Sequence, residues 1–565
     1  MSHSKAGKRV LVLLLAMILV VGTVGVSVIA RADSAAPVTV RVVNNNQKGT
    51  DDTDPKWPFD TVKAMEQKLG ITLELKSETD DQDQLLIASG DIGDIMYIDK
   101  TKYLKQLIEG GLIQPLDDLV AQYAPDLAAQ TTKLDFARQY LSDGTGKLYG
   151  LTCFSGSDGN GMYPQLGFFS RWDYYKELGY PELKNTDDVL NVLSQMVKAH
   201  PTTADGKTVY GMGVFTDWGM WPFTVNPMPA ALGVTGIFSQ TLALLPDGSY
   251  QVPSTDINSA FWQNLRFFNK ANQMGIFDKD SLTQKSDEYD NKCANGQYVD
   301  ICASWWMNKF NQSQLTADPK STVGFEMLPM EGMQVYANNQ QPIGATGWLF
   351  VMGSKCKDPV AAIKLLNYLN SYDGIRQLMC GDTDATIEMV DGKPEMKQDV
   401  IAKLAANDPT APTIWKNSNM FGYTQNTINP ADGQPLNLAL TDRGFAAQCL
   451  PVDTDYATHY GAIYPYGVVK SFIEQGKMKD DGFMDYTVLS AMDAAPDDIT
   501  RLDNAQTDIL TNVCAQAILA ADDAAFQAVF DKCVSDLKGA GVDQSVAFWT
   551  QNYEKAKAAV AAMGK

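Results

Sequence analysis

Histidine is nearly missing from this 565-residue chain, with only His3, His200 and His459. Zinc centres draw on His and Cys, and the eight cysteines include no C-x-x-C pair, so no metal site is expected. Neither G-x-S-x-G nor H-E-x-x-H occurs, and so few histidines leave a nucleophile little choice of base, which argues against a hydrolytic triad. Basic side chains are also outnumbered, 46 Lys and Arg against 67 Asp and Glu, for a formal charge of −21. Phosphate backbones and anionic lipid surfaces would be repelled, so no nucleic-acid partner is expected. Internal repeats and low-complexity tracts are absent, while 45% apolar and 10% aromatic residues exclude disorder and predict packed globular bodies. At about 150 residues per domain the length allows three or four units, or two large lobes.

One long hydrophobic run is present. Lys5, Lys8 and Arg9 precede the uncharged stretch 10–30, and Ala30-Arg31-Ala32 offers a small-x-small cleavage pattern. This reads as an export signal over residues 1–32, either cleaved or kept as an N-terminal anchor, and predicts an extracellular or cell-surface location. No cysteine occurs before Cys153, so a lipid-attachment cysteine is missing. Three cysteine pairs are close in sequence: Cys293 with Cys302, Cys356 with Cys380, and Cys514 with Cys533. Disulfides or buried thiols are both compatible with them, and eight cysteines leave 105 pairings open.

Val38, Val40 and Val42 alternate as in a strand; Val62, Met65 and Leu69 follow at helical spacing before Gly70, and Ile71, Leu73 and Leu75 alternate again. A helix from Gln82 to Ser89 with Gly90 at its end leads to a third strand over Ile95–Ile98. This β-α-β-α-β order predicts parallel strands in an open α/β sheet. Ligands of such sheets sit beyond the carboxyl ends of the strands, here the 44–58 loop and the residues after Ile98. Thr186 is expected to cap a helix carrying Val189, Leu193 and Met196. Another helix should begin at Asp358-Pro359 and run to Gly374, and the last 60 residues read as helical.

Gly144–Gly150, with Lys147, resembles a phosphate loop but leads into an extended stretch instead of a helix, so a turn is expected. Asp158-Gly159-Asn160 starts a calcium-loop pattern, yet Phe169 stands where its closing carboxylate belongs. Asp51–Asp54 and Asp382–Asp384 are likewise incomplete. The strongest chemical signal is aromatic. Trp218 and Trp221, the doublet Trp305-Trp306, Trp348 after Gly347, and Trp57 stand beside Gly, Pro or polar residues and off any clean helical stripe. Sugar rings stack apolar C–H faces on indole, and their hydroxyls need amide and carboxylate partners. Candidate ligand-binding residues are therefore Trp57, Asn45, Asp94, Trp218, Trp221, Trp305, Trp306 and Trp348.

Several strings form a series. Ser89-Gly90-Asp91-Ile92-Gly93-Asp94-Ile95, then LKQLIEGGLIQPL over 104–116, then Tyr123-Ala124-Pro125, resemble the signature of family 1 extracellular solute-binding proteins of carbohydrate ABC importers. Lys147–Leu151, the segment Ser170–Gly179, Cys293–Gln297 with Trp305-Trp306, and Gly347–Phe350 with Asp358–Ala362 follow in that family's order. The length is similar to that of the large subclass of oligosaccharide-binding lipoproteins.

The resemblance implies a two-lobed α/β periplasmic-binding-protein fold of type II, each lobe a sheet flanked by helices, with the ligand cleft between lobes. Lobe I would take 33–150 and 340–400, and lobe II 151–339 and 401–565. It implies a non-enzymatic monomer that closes on a sugar or oligosaccharide and delivers it to the permease subunits. No cofactor is implied: the subclass's calcium loop would fall at Thr203–Gly211, which lacks the ligand series. Asp91 and Asp94 would sit at the start of strand three, Asp94 nearer the cleft, and Arg171 and Asp173 would organise the second lobe. The alternatives are a secreted glycoside hydrolase, a binding protein for a peptide or other nutrient, and a sensor component.

Overall fold

A computed structural model describes residues 37–562 apart from 46–50, 157–163, 225–226, 228–230, 232–235, 239–240, 246–248, 336–342, 383, 407, 416–419 and 481–486. The export segment and Asp158-Gly159-Asn160 lie outside these residues. The chain opens with β1 Val38–Asn45, α1 Asp60–Leu69, β2 Ile71–Glu78, α2 Asp80–Ser89 and β3 Ile95–Asp99. Gly70 and Gly90 end the two helices in the left-handed conformation (φ 67° and 68°) that a side chain would disfavour. β1 pairs in parallel with β2 and β3. β4 Gly150–Cys153 completes the same sheet.

The chain then crosses to a smaller antiparallel sheet made of β5 Leu166–Arg171, β6 Asp300–Ala303 and β7 Phe325–Met327, with α3 Ser304–Ala317 between β6 and β7. It returns as β8 Ala345–Met352, which inserts antiparallel between β3 and β4, giving the order β2-β1-β3-β8-β4. Ile95, Met96, Tyr97 and Ile98 are all buried, as a strand covered on both faces requires.

Two separate hydrophobic cores result. The first gathers β1 to β4 and β8, with Leu365, Leu366, Ile401, Trp415 and Leu438. The second gathers β5 to β7 with Trp172, Trp262, Trp306, Tyr456 and Phe526. The three C-terminal helices, Asp497–Ile518, Asp523–Gly539 and Val542–Ala562, strap the two together: Trp549 and Tyr553 pack into the first core, Leu510 and Leu537 into the second. This is the two-lobed α/β architecture, with helices on the sheets.

Two local expectations shift. The helix Thr186–Ala199 is capped by Asn185, whose side chain accepts the N–H groups of Asp187 and Asp188 at 2.9 and 3.1 Å, one residue before Thr186. The helix after Asp358 is α4 Pro359–Tyr368, and Ser371 starts a second helix, Tyr372–Cys380. Gly374 sits in that second helix because a Cβ there would lie 2.2 Å from the Tyr368 carbonyl. No disulfide forms: all eight cysteines are free thiols. Cys380 accepts from Leu438 N–H at 3.2 Å, and burial, with the nearby Asp94, pushes the Cys356 thiol up to about 12.

Candidate functional site

Strand register fixes which ends of the two sheets look at each other. Leu166, at the start of β5, pairs with Ala303 at the end of β6, and Ser304 N–H donates to the Gln165 carbonyl at 2.9 Å. The carboxyl end of β6 therefore sits at the crossing from the first body. Met327, at the end of β7, pairs with Phe169, so the return crossing leaves from the same side. In the first body, Cys153 pairs with Ala345 and Asp99 with Trp348, which turns the carboxyl ends of β3 and β4 towards the crossings.

The aromatic candidates fall on this line. Trp305 and Trp306 occupy the first turn of α3, directly after β6. Trp305 lies 6.0 Å from Trp221, Trp221 lies 5.3 Å from Trp218, and Trp218 lies 5.7 Å from Trp306. Four tryptophans from two separate segments thus meet in one cluster. Their exposures differ: Trp218 and Trp305 are 47% and 39% exposed, Trp221 is half-buried, and Trp306 is buried against Phe215 and Tyr289. Only the first two present open ring faces for stacking. Near Phe215 and Tyr289 the Asp300 carboxyl accepts from Ser170 Oγ, and burial pushes its pKa well up. Burial likewise pushes the Cys302 thiol up to about 12, so it is no nucleophile.

Residues three and four apart share a helix face, so Trp305, Asn308 and Gln312 form one stripe along α3. Asn308 and Gln312 on it face the first body. Gln312 Nε2 donates at 2.9 Å to the carbonyl of Ala405, the last residue of α5 Gln398–Ala405. Between them lies a cavity of about 490 Å³, within the range of small-molecule sites. Asn308 lines it from the second body; Met379, Met396, Leu404 and Trp415 line it from the first. Gln448, at the end of α6 Asp442–Gln448, closes one side. Buried Trp415 is 6.2 Å from Trp57 and is held by its N–H to Thr61 Oγ1 at 3.0 Å. Trp57 thereby backs the cavity wall.

The remaining candidates separate. Trp348 is half-buried and stacked on Tyr97 at 5.5 Å and 16°, at the crossing end of the first sheet. Asn45 ends β1 opposite Glu78. Its neighbour Asn44 is fully buried, with no hydrogen-bond partner for either amide atom among the described residues. Asp94 departs from its expected place near the cleft. It precedes β3 at the opposite end of the sheet, where its carboxylate accepts the N–H groups of Arg41 and Lys357, both at 2.9 Å. It clamps the fold. Arg171 is likewise internal, paired with Asp173 at 2.6 Å and covered by the Tyr174 ring at 3.8 Å.

Sequence reasoning missed Trp415, Met379, Met396, Leu404 and Gln448. Asn308 was recoverable, since it stands one helical turn after Trp305.

No protein-family model matches the chain, and no curated protein matches it. Solved structures do match, over most of its length. The ABC-transporter substrate-binding protein FusA of S. pneumoniae, an EF-hand mutant in complex with fructo-nystose, aligns with a TM-score of 0.58 and 17% identity, covering 92% of this chain and 99% of that one. The chain has the solute-binding-protein fold. An HMO-binding, ABC-transporter-associated solute-binding protein from Bifidobacterium longum infantis shares this fold at a TM-score of 0.56 and 16% identity, over 92% and 99% of the two chains. The alginate-binding protein AlgQ2 aligns with the same TM-score and 17% identity, over 92% and 98%. Among the described residues, no helix of this solute-binding fold is long and apolar enough to cross a membrane.

Proposed function

We propose that this chain is the exported substrate-binding component of an ABC importer, which closes on a sugar or oligosaccharide between its two bodies and hands it on unchanged. The observation that carries this reading is the stripe Trp305, Asn308 and Gln312, which runs from the open indole cluster of one body onto the cavity wall of the other. Indole faces suit the C–H faces of sugar rings, and carboxamides suit their hydroxyls. The neighbours support it: the substrate-binding protein FusA has been solved with fructo-nystose and with kestose.

The lobes follow the two cores. Ile401, Trp415 and Leu438 then travel with lobe I instead of lobe II, since they pack in the first core. Hinge motion takes place where the chain leaves β4 and β7 to pass between the sheets, and in the C-terminal helices. Permease subunits would recognise the closed, monomeric form outside the cell membrane.

None of the described cavity-lining residues is acidic. A glycoside hydrolase would need a carboxylate pair flanking the scissile bond, so the reading is binding without turnover. Calorimetric titration of the mature chain with neutral oligosaccharides, followed by mass spectrometry of the recovered glycan, tests it. One-to-one binding with intact glycan is expected. Release of reducing ends, or no binding by any saccharide, overturns it.

A further inference from the structure

The cavity between α3 and α5 has an unusual lining for so acidic a protein: none of its described residues carries a charge. Its polar groups are carboxamides, those of Asn308, Gln425, Asn437 and Gln448. Asn437 Nδ2 donates to Gln425 Oε1 at 3.1 Å, which orients that pair, and Gln448 Nε2 donates to the carbonyls of Ala439 and Gly444 at 2.6 and 3.1 Å. Asn308 is exposed and stands one helical turn from Trp305. The rest of the wall is aliphatic: Met379, Met396, Ile401, Leu404 and Ile414 beside Trp415.

Each part excludes something. A uronic acid or a free amino sugar would place an ionised group where no described side chain offers a countercharge, and burying an unpaired ion is costly. An unsubstituted sugar would set hydroxyls against methionine and leucine methyls, which accept no hydrogen bond of consequence. A secondary amide with a methyl terminus suits both halves, because its N–H and C=O match a carboxamide and its methyl packs on the aliphatic wall.

Resting on the proposed saccharide-binding function, we infer that the ligand is an uncharged saccharide bearing acetamido groups, with the amide set among Asn308 and Gln448 and the acetyl methyl against Met396 and Leu404. Each methyl removed from water is worth about fourfold in affinity. Two such groups give a preference of tenfold or more over an unsubstituted trimer.

The test is calorimetric titration of the full mature chain with four trimers of comparable length: chitotriose, maltotriose, trigalacturonate and fully deacetylated chitosan trimer. Chitotriose is expected to bind at least tenfold tighter than maltotriose, and both charged trimers at least a hundredfold weaker than chitotriose. Equal or tighter binding of maltotriose, or of either charged trimer, overturns the inference while leaving saccharide binding intact. Failure of every saccharide to bind overturns the proposed function itself. Leu404 is half-buried, so Leu404→Lys keeps the fold while placing a cation in the wall. It should weaken chitotriose at least fivefold and narrow the gap to trigalacturonate. An unchanged chitotriose affinity in this variant would move the ligand out of the cavity and overturn the inference.

Discussion

Gln312 on the second body is hydrogen-bonded directly to Ala405 on the first: the Gln312 side-chain amide donates at 2.9 Å to the last carbonyl of α5. The Gln312 helix buries Trp306 and Phe310 in the second core, while α5 buries Val400 and Ile401 in the first. Any hinge opening at the cavity must break this bond. Replacing Gln312 with Ala should raise the Kd for saccharide about threefold to tenfold, the worth of one hydrogen bond, with the melting temperature of the free protein nearly unchanged. Calorimetry and a thermal melt on the same sample check both.

Neighbouring tryptophans should respond oppositely. Trp305 is 39% exposed and Trp306 only 5%. Trp305→Ala is expected to leave stability within about 1 kcal/mol but to cost tenfold to hundredfold in saccharide affinity, the worth of one stacked ring. Trp306→Ala removes a core indole and should cost about 3–5 kcal/mol of stability. Urea midpoints and titrations on the two variants separate these roles; matching profiles would refute the division.

Asp94 should matter for stability alone. Its carboxylate accepts two backbone N–H groups, Arg41 and Lys357, at the end of the sheet away from the crossings. Charge-assisted bonds of this kind are worth about 1.5–3 kcal/mol each. Asp94→Ala is therefore predicted to lower the urea midpoint clearly while saccharide affinity stays within twofold.

Lys133 predicts a pH dependence. Its ammonium is buried, donates to Asn370 Oδ1 at 2.9 Å, and has its pKa lowered to about 8 by desolvation. Between pH 8 and the unfolded value of 10.5 the unfolded chain binds more protons at this site, so stability rises with pH across that window. Below pH 8 both states are protonated and the full cost of burial remains. Lys133→Met should flatten the wild-type slope between pH 8 and pH 9.5 by about 1–2 kcal/mol, as read from urea midpoints at the two values.

The opening sheet was legible because its signals are local: alternating valines in β1, helix periods that stop at Gly70 and Gly90, and an all-apolar β3. The tryptophan cluster was legible in composition, since Trp218, Trp221, Trp305 and Trp306 stand beside residues that rarely accompany core indoles. Which of the four stay open was not, because exposure depends on Phe215 and Tyr289 packing over Trp306. The far wall was hidden for a topological reason. Met379, Leu404, Trp415 and Gln448 read singly as ordinary core or surface residues, and only packing against α3 makes them a lining. Asp94 misled because its motif marks a place in the sequence, while strand direction decides which end of the sheet that place occupies.

The central claim is that one ligand bridges both bodies, and amide hydrogen exchange with and without a saturating neutral oligosaccharide tests it most directly. Peptides covering 304–312 and 398–415 should gain protection together on ligand addition. Protection of one peptide without the other, or of neither, would contradict the account.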